Sequence, residues 1–290
     1  MILKLHIWGG LGSQLYGINT ALRLIDKFPS KSIKLVFHSG GVTSRNLEFE
    51  PSFLNLKYIS INDFRQPKTR NPSSYHLSNI DISIYFKKIL KRLAIALQVI
   101  VYLDSEEDFA KIKIYTLEVR GHYSNLSVPN KNIESIYKCL VQSVDFSKSA
   151  TFQGGKLALH YRLGDLLDLE SKSPISIKRI ERIISQQKMS SVDGIDLYIF
   201  SDSPDSAAKL FNSLNFNNWK LHLYSLSPQE ILVFLGLFET FVGTNSKISI
   251  WITLFRLQQS YVNNFLPIEL RKFLLGNLQT STQIDAITFY

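Results

Sequence analysis

The stretch Lys156–Leu166, KLALHYRLGDL, gathers three side chains that can do chemistry, His160, Arg162 and Asp165, with Gly164 bending the chain between them. Arginine suits a phosphate, because its planar fork donates two parallel hydrogen bonds to an anion of matching shape. Asp165 could hold that fork in place or touch the ligand directly. An Arg–Asp pair that only fixes a turn would show the same residues, so the pattern alone leaves both readings open. His160 and Asp165 are also candidates for the base of a transfer reaction, a role that geometry decides.

Other clusters carry related chemistry. Gly9-Gly10-Leu11-Gly12-Ser13-Gln14 joins a strand to a helical pattern, and free backbone N–H groups at such a helix start make an anion site. It is not a P-loop, since no Gly-Lys-Ser/Thr follows. It is not a dinucleotide fingerprint either, since Leu15 stands where a third glycine is needed and the next strand ends in His38-Ser39-Gly40 without an acid. A plain tight turn remains the other reading of this loop. Ser201-Asp202-Ser203 and Thr244-Asn245-Ser246 are two further polar clusters. No Asp-x-Asp adjoins a nucleotide-type loop, so no metal site is expected. The single cysteine, Cys139, excludes an internal disulfide and a Cys-based zinc site and reads as a small buried apolar residue.

These clusters need elements to position them. Ile2–Trp8 alternates as a strand, and Leu15, Ile18, Leu22 and Ile25 follow at helical spacing. Ile33–His38 and Phe53–Ile61 read as further strands, the second after a short helix end. Arg65–Ser74 reads as an exposed loop, Ile112–Val119 as a strand and Glu134–Val144 as a helix. Tyr85–Leu103 starts basic, with Lys87, Lys88, Lys91 and Arg92, and continues as LAIALQVIVYL. A core helix with a solvated first turn is the favoured reading, because the apolar residues go all round. A helix resting on an anionic membrane surface is the other.

After Lys156 the pattern is regular. Strands at Leu157–Arg162, Asp196–Ser201, Lys220–Tyr224, Thr240–Gly243 and Ser260–Asn263 alternate with helices near Ile177–Gln187, from Pro204 to Phe211, from Pro228 to about Phe238, and across Ile248–Phe255. Such alternation implies right-handed crossovers and a parallel sheet. The polar clusters at 160–165, 201–203 and 244–246 all follow strands, so they fall on one sheet edge, where ligands bind.

The whole chain has 290 residues, 45% apolar and 20% charged, which allows one large or two ordinary domains with a substantial core. The division is expected near residue 150, giving an N-terminal domain 1–150 and a C-terminal domain 151–290. Net charge is +9, a field that attracts nucleotides, nucleic acid or an anionic surface. The basic residues are scattered and no nucleic-acid module is present, so nucleic acid ranks low. No signal-like start and no run of about 18–20 apolar residues is present, and a cytoplasmic protein is the expectation.

Several stretches together resemble one family. Gly9-Gly10-Leu11-Gly12-Ser13-Gln14-Leu15-Tyr16 resembles the N-terminal GGLGNQ(L/M)F of bacterial α1,2-fucosyltransferases. Arg120-Gly121-His122-Tyr123 is similar to their GYF stretch, and His160-Tyr161-Arg162-Leu163-Gly164-Asp165 to their HxRRGD motif. Phe200-Ser201-Asp202, and Gly243-Thr244-Asn245-Ser246 followed by Trp251, resemble their FSDD and SNSxFSxW stretches. The order of the motifs is the family's, and they span most of the chain.

The resemblance implies an α/β GT-B fold, two Rossmann-like domains facing across a cleft. The acceptor would lie on the N-terminal side and the nucleotide sugar on the C-terminal side. It implies inverting, metal-independent transfer of fucose from GDP-fucose to a hydroxyl of a surface glycan such as O-antigen, lipopolysaccharide or capsule. Arg162 would bind the donor diphosphate, Asp202 would lie near the guanosine, and Ser246 would cap the phosphates. Gly10, Gly12, Ser13, Gln14, Ser201, Thr244 and Asn245 complete the expected donor-binding set. Leu163 replaces the second arginine, Ser13 the loop asparagine and Ser203 the second acid. These departures leave room for another deoxyhexose donor, or for a non-catalytic nucleotide-sugar or glycan-binding protein of the same fold. No cofactor beyond the donor substrate is expected. The partners are the donor, an oligosaccharide or lipid-linked glycan, and peripherally an anionic membrane, but not nucleic acid.

Overall fold

A computed structural model describes residues 2–39, 46–62, 82–152, 156–163, 174–186, 195–212, 219–275 and 281–290. The chain divides into two compact units, Met1–Asn132 and Ile133–Tyr290. The division falls within the helix at Asn130–Ser143, most of which lies in the second unit. Its Tyr137 ring lies 5.1 Å from that of Phe255.

The first unit is a parallel sheet of β1 (Ile2–Trp8), β2 (Ser32–His38), β3 (Lys57–Ile61), β4 (Ile100–Leu103) and β5 (Glu118–Gly121), in the order β3-β2-β1-β5-β4. Helix α1 (Leu11–Lys27) crosses from β1 to β2. Leu3, Leu5 and Ile7 of β1 and Leu15, Ile18 and Leu24 of α1 are fully buried, the expected result of a period-2 strand meeting a period-3.6 helix. Gly9 makes the turn between them at φ +88°, a left-handed conformation that a side chain would strain. Helix α2 (Ile82–Ala96) precedes β4, and the short α3 (Glu106–Ala110), capped by the Ser105 side chain, lies between β4 and β5.

Two sequence expectations change here. Tyr85–Leu103 is not one core helix. It splits at Gln98, which turns the chain at φ +58°, into α2 and strand β4. The end of α2 is on the surface, not in the core. Leu90, Leu93 and Leu97 are half or more exposed. Likewise, residues 112–117 form a turn, and the strand begins only at Glu118. The expected loop at 65–74 lies outside the described residues.

After α4 (Asn130–Ser143), which crosses the division, the second unit holds a parallel sheet of β6 (Leu157–His160), β7 (Ile195–Phe200), β8 (Trp219–Tyr224), β9 (Thr240–Gly243), β10 (Asn263–Leu266) and β11 (Ile287–Phe289). Helices α5 (Ile177–Gln186), α6 (Pro204–Asn212), α7 (Pro228–Phe234) and α8 (Lys247–Gln258) alternate with these strands. The short α9 (Arg271–Leu275) and α10 (Ser281–Asp285) precede β11. On one side, Leu157, Leu159, Leu197, Ile199 and Val242 bury against Ile180, Ile183 and Ile184 of α5 and Ala207 and Phe211 of α6. Elsewhere in the unit, Phe152, Phe200, Phe234 and Phe238 pack ring on ring. Each such fully buried side chain contributes about 1.5–3 kcal/mol.

Arg256 of α8 is also fully buried. Its guanidinium donates to the carbonyl oxygens of Leu235, Phe238 and Glu239 and, at 2.6 Å, to Oδ1 of Asn264. Burial lowers its pKa to about 10, still high enough to keep the charge at neutral pH.

Candidate functional site

The strand order of the second unit is β11-β10-β9-β6-β7-β8. The chain runs outward from β6 through β7 to β8, then crosses to β9 and runs outward the other way. The order therefore reverses between β6 and β9, and the carboxyl ends of two strands at such a reversal form the ligand crevice of an open α/β sheet. His160 ends β6, and Tyr161-Arg162-Leu163 continues past the edge. Thr244-Asn245-Ser246 leaves β9 beside it, and Ser201-Asp202-Ser203 leaves β7 on the other side.

Hydrogen bonds lock these loops together. The Thr244 hydroxyl donates to the His160 carbonyl at 2.9 Å and accepts from the Arg162 N–H at 3.0 Å. The Leu163 N–H donates to Oδ1 of Asp202 at 2.9 Å. Ser201 accepts from the Ser203 N–H at 3.1 Å, so Ser203 serves the turn through its backbone. Ser246 caps α8, its hydroxyl accepting from the Ile248 N–H at 3.1 Å. The start of this twelve-residue helix therefore points its dipole at the same edge. Gly243 permits that approach, since a Cβ there would lie 2.7 Å from Cβ of Ser249 and 2.6 Å from Cδ2 of Leu266.

Exposure sorts the residues by what they can touch. Arg162 is partly exposed, while Asp202 and Asn245 are exposed. Thr244, Ser246 and Ser201 are buried and act on the loops around them. His160 is buried, and its Nδ1 shares a 2.8 Å hydrogen bond with Oγ of Ser249. Burial pushes its pKa down to about 4, against an upward pull from Asp202, with Arg162 adding to the fall. The ring is therefore neutral at pH 7. Leu163, in the place of the second arginine, is fully buried in the apolar core, where a guanidinium would have no solvent. Asp165 and Gly164 lie outside the described residues.

The first unit carries the glycine loop. There the start of α1 already has an anion over it, for Oε2 of Glu48 accepts from the Leu11 N–H at 3.1 Å. The buried Gln14 donates to the carbonyls of Gly9 and Asn46 and accepts from the Glu48 N–H, which ties segment 46–48 to the loop. Gly12 is buried in the first turn, and Gly10 and Ser13 are partly exposed. A cavity of about 120 Å³ lies at this strand edge, bordered by Gly9, Gln14, His38, Ser39, Asn46 and Ser60 among others.

Sequence reasoning missed Glu48, and it missed a buried polar cluster in the same sheet. His6 and His38 share a 2.8 Å hydrogen bond, the Trp8 ring stacks on His38, and Glu118 pairs with Arg120 at 2.7 Å. Histidines at 6 and 38 with strand spacing were visible, but only the register of β1 on β2 brings them together. Among the described residues no group of three or more His, Cys, Asp or Glu is placed to hold a metal ion, and no helix is long and apolar enough to cross a membrane.

No family model matches this chain, and no curated protein matches it. Among solved structures it is similar to the E. coli heptosyltransferase WaaC with ADP-2-deoxy-2-fluoro heptose, at 12% identity and TM-score 0.44 over 92% of this chain and 88% of that one. It is similar to POFUT1 in complex with GDP, at 12% identity and TM-score 0.42 over 91% and 97%. A third likeness is to S. aureus MnaA in a co-structure with UDP, at 11% identity and TM-score 0.41 over 91% and 78%. Likenesses this distant assign no activity, and what stands from the coordinates is a pair of parallel α/β units.

Proposed function

We propose that this protein is a glycosyltransferase of the GT-B class. It transfers a deoxyhexose, fucose from GDP-fucose, to a hydroxyl of a surface glycan with inversion and without a metal. The observation that carries the reading is the locked edge of the second unit. There Thr244 bridges the His160 carbonyl and the Arg162 N–H at the strand reversal, beside the capped start of α8. A diphosphate placed there meets a guanidinium and a helix N-terminus, the two groups that best stabilise negative charge growing on a leaving phosphate. The ordered resemblance to α1,2-fucosyltransferase motifs supplies the sugar and the nucleotide.

In this mechanism an acceptor hydroxyl attacks the anomeric carbon as the C–O bond to the diphosphate breaks. The electron pair of that bond leaves on GDP, where Arg162 and the backbone donors of the edge hold it, and the proton of the attacking hydroxyl passes to solvent water. The neutral His160 keeps Ser249 and the end of β6 in register. Asp202 holds the loop after β6 through the Leu163 N–H and offers its exposed carboxylate to the nucleoside.

The test is a thermal-shift screen of nucleoside diphosphates followed by transfer assays in EDTA. GDP should raise the melting temperature more than ADP or UDP, since binding to the folded state alone stabilises it by mass action. Transfer from GDP-fucose should survive chelation. No shift with any nucleoside diphosphate would end the reading. Transfer lost in EDTA and restored by Mn²⁺ would end its metal-independent form.

A further inference from the structure

We infer that the amino-terminal edge of the first sheet is a docking surface for an anionic lipid bilayer. It lies at the opposite end of the strands from the glycine loop. The exposed end of α2 carries Leu90, Leu93 and Leu97, at 50%, 52% and 64% exposure. Spaced i, i+3 and i+7, they form one apolar stripe. Lys88, Lys91 and Arg92 fall on the other side of the helix.

The stripe does not end with the helix. Leu97 leads into the left-handed Gln98, whose carbonyl accepts from the Thr116 hydroxyl, and the Val99 carbonyl accepts from the Leu117 and Glu118 N–H groups. These bonds hold the turn at Ile114, Tyr115 and Leu117 against the end of α2. Those three side chains are 53%, 49% and 41% exposed. Lys31 fixes the turn from below, its ammonium donating to the carbonyls of Ile114 and Thr116. The surface is therefore built by hydrogen bonds of the fold, and the exposed Lys113 adds a cation to its border.

Six large apolar side chains, each 41% to 64% exposed at one end of a unit, mark an interaction surface. Its cationic flank and the chain's net charge of +9 select the partner. Leucine and tyrosine side chains enter the boundary between headgroups and acyl chains, while lysine and arginine stems lie along it with their charges at the phosphates. A second copy of this chain would bring the same positive charges together and is disfavoured by them.

The experiment is co-sedimentation of the full chain with phosphatidylglycerol vesicles and with phosphatidylcholine vesicles, with sedimentation equilibrium run in parallel. The wild type should pellet with phosphatidylglycerol and not with phosphatidylcholine. Leu93→Glu with Leu97→Glu should abolish pelleting. Lys91→Glu with Arg92→Glu should weaken it about tenfold or more, since each cation near an anionic surface is worth about fivefold in binding. Raised salt should weaken the wild type in the same way. Both pairs of substitutions are on the surface and should leave the melting temperature unchanged, and they do not touch the nucleotide edge. Equal binding to both vesicles, binding to neither, or pelleting that both variants retain would overturn the proposal. So would a wild-type dimer that the leucine substitutions convert to monomer.

Discussion

Glu48 places a carboxylate oxygen 3.1 Å from the backbone N–H of Leu11, at the position where a bound phosphate would sit over the start of α1. A glycine-rich turn into a helix usually reads as an anion site, and here the chain supplies its own anion. Glu48→Ala should therefore leave GDP affinity within about twofold and lower stability by about 1 kcal/mol, the scale of a lost helix-start contact. Isothermal titration with GDP and thermal melting measure the two effects. A clear gain in GDP affinity would show that the loop is a phosphate site that Glu48 had been blocking.

Arg162 should be the side chain on which transfer depends most. No second guanidinium follows it, because Leu163 is turned into the core. Arg162→Ala should lower the transfer rate by about 10²–10³, the typical cost of losing one preorganised charge-stabilising donor. Arg162→Lys should recover little of this, since an ammonium lacks the fork. The melting temperatures of both variants should stay near wild type, because the Thr244 contact uses the backbone N–H and survives substitution. Near-wild-type transfer by Arg162→Ala would remove the site assignment.

Asp202 follows β7, the strand next outward from β6, and in a dinucleotide-binding sheet an acid at the end of that strand takes a ribose hydroxyl. The expected contact is therefore to ribose. Asp202→Asn should weaken GDP binding about tenfold or more, the loss of one hydrogen bond to a charged group. It should leave GDP analogues lacking the ribose hydroxyls almost unaffected. Equal weakening of GDP and those analogues would move Asp202 from the ribose to the base.

His160 makes stability depend on pH. Its folded pKa of about 4 lies below its ordinary 6.5, so on acidification the unfolded chain takes up the proton first. The neutral imidazole's contribution is intact above pH 6.5 and is lost as pH falls from 6.5 to about 4, a change on the order of 3 kcal/mol. His160→Gln should flatten the melting-temperature profile across that window relative to wild type. A profile of unchanged slope would mean that some other group carries the dependence.

The second sheet could be read from sequence because its strands are short, alternate with helices and end in polar turns, so pattern and position agree. Thr244 and Ser246 were legible as polar residues after a strand. That Thr244 ties two strands together was not, since it depends on β6 and β9 being neighbours. Ile100–Leu103 was lost inside a helix because the break at Gln98 carries no glycine or proline to announce it. The turn at 112–117 was taken for strand because its apolar residues alternate, although Ile114, Tyr115 and Leu117 face outward. Ser105 followed by Glu106, Glu107 and Asp108 did carry a helix-start signal for α3, in a helix too short to show a period. Glu48 could not be placed at all, since its partner Leu11 is 37 residues away and only the folded chain brings them together.

Gly243 has a consequence for how a ligand meets the second unit. With no side chain at 243, Ser249 in the first turn of α8 seats directly against the end of β9, and Tyr290 closes the other side by donating its hydroxyl to the Gly243 carbonyl at 2.7 Å. The helix start and the strand end are then packed directly on one another. The backbone donors that would receive a phosphate are already aimed before it arrives, so the entropy of ordering them is spent in folding and not subtracted from binding. A Gly243→Ala chain could keep every polar group of this edge and still bind weakly, because the change would loosen their aim without removing any of them.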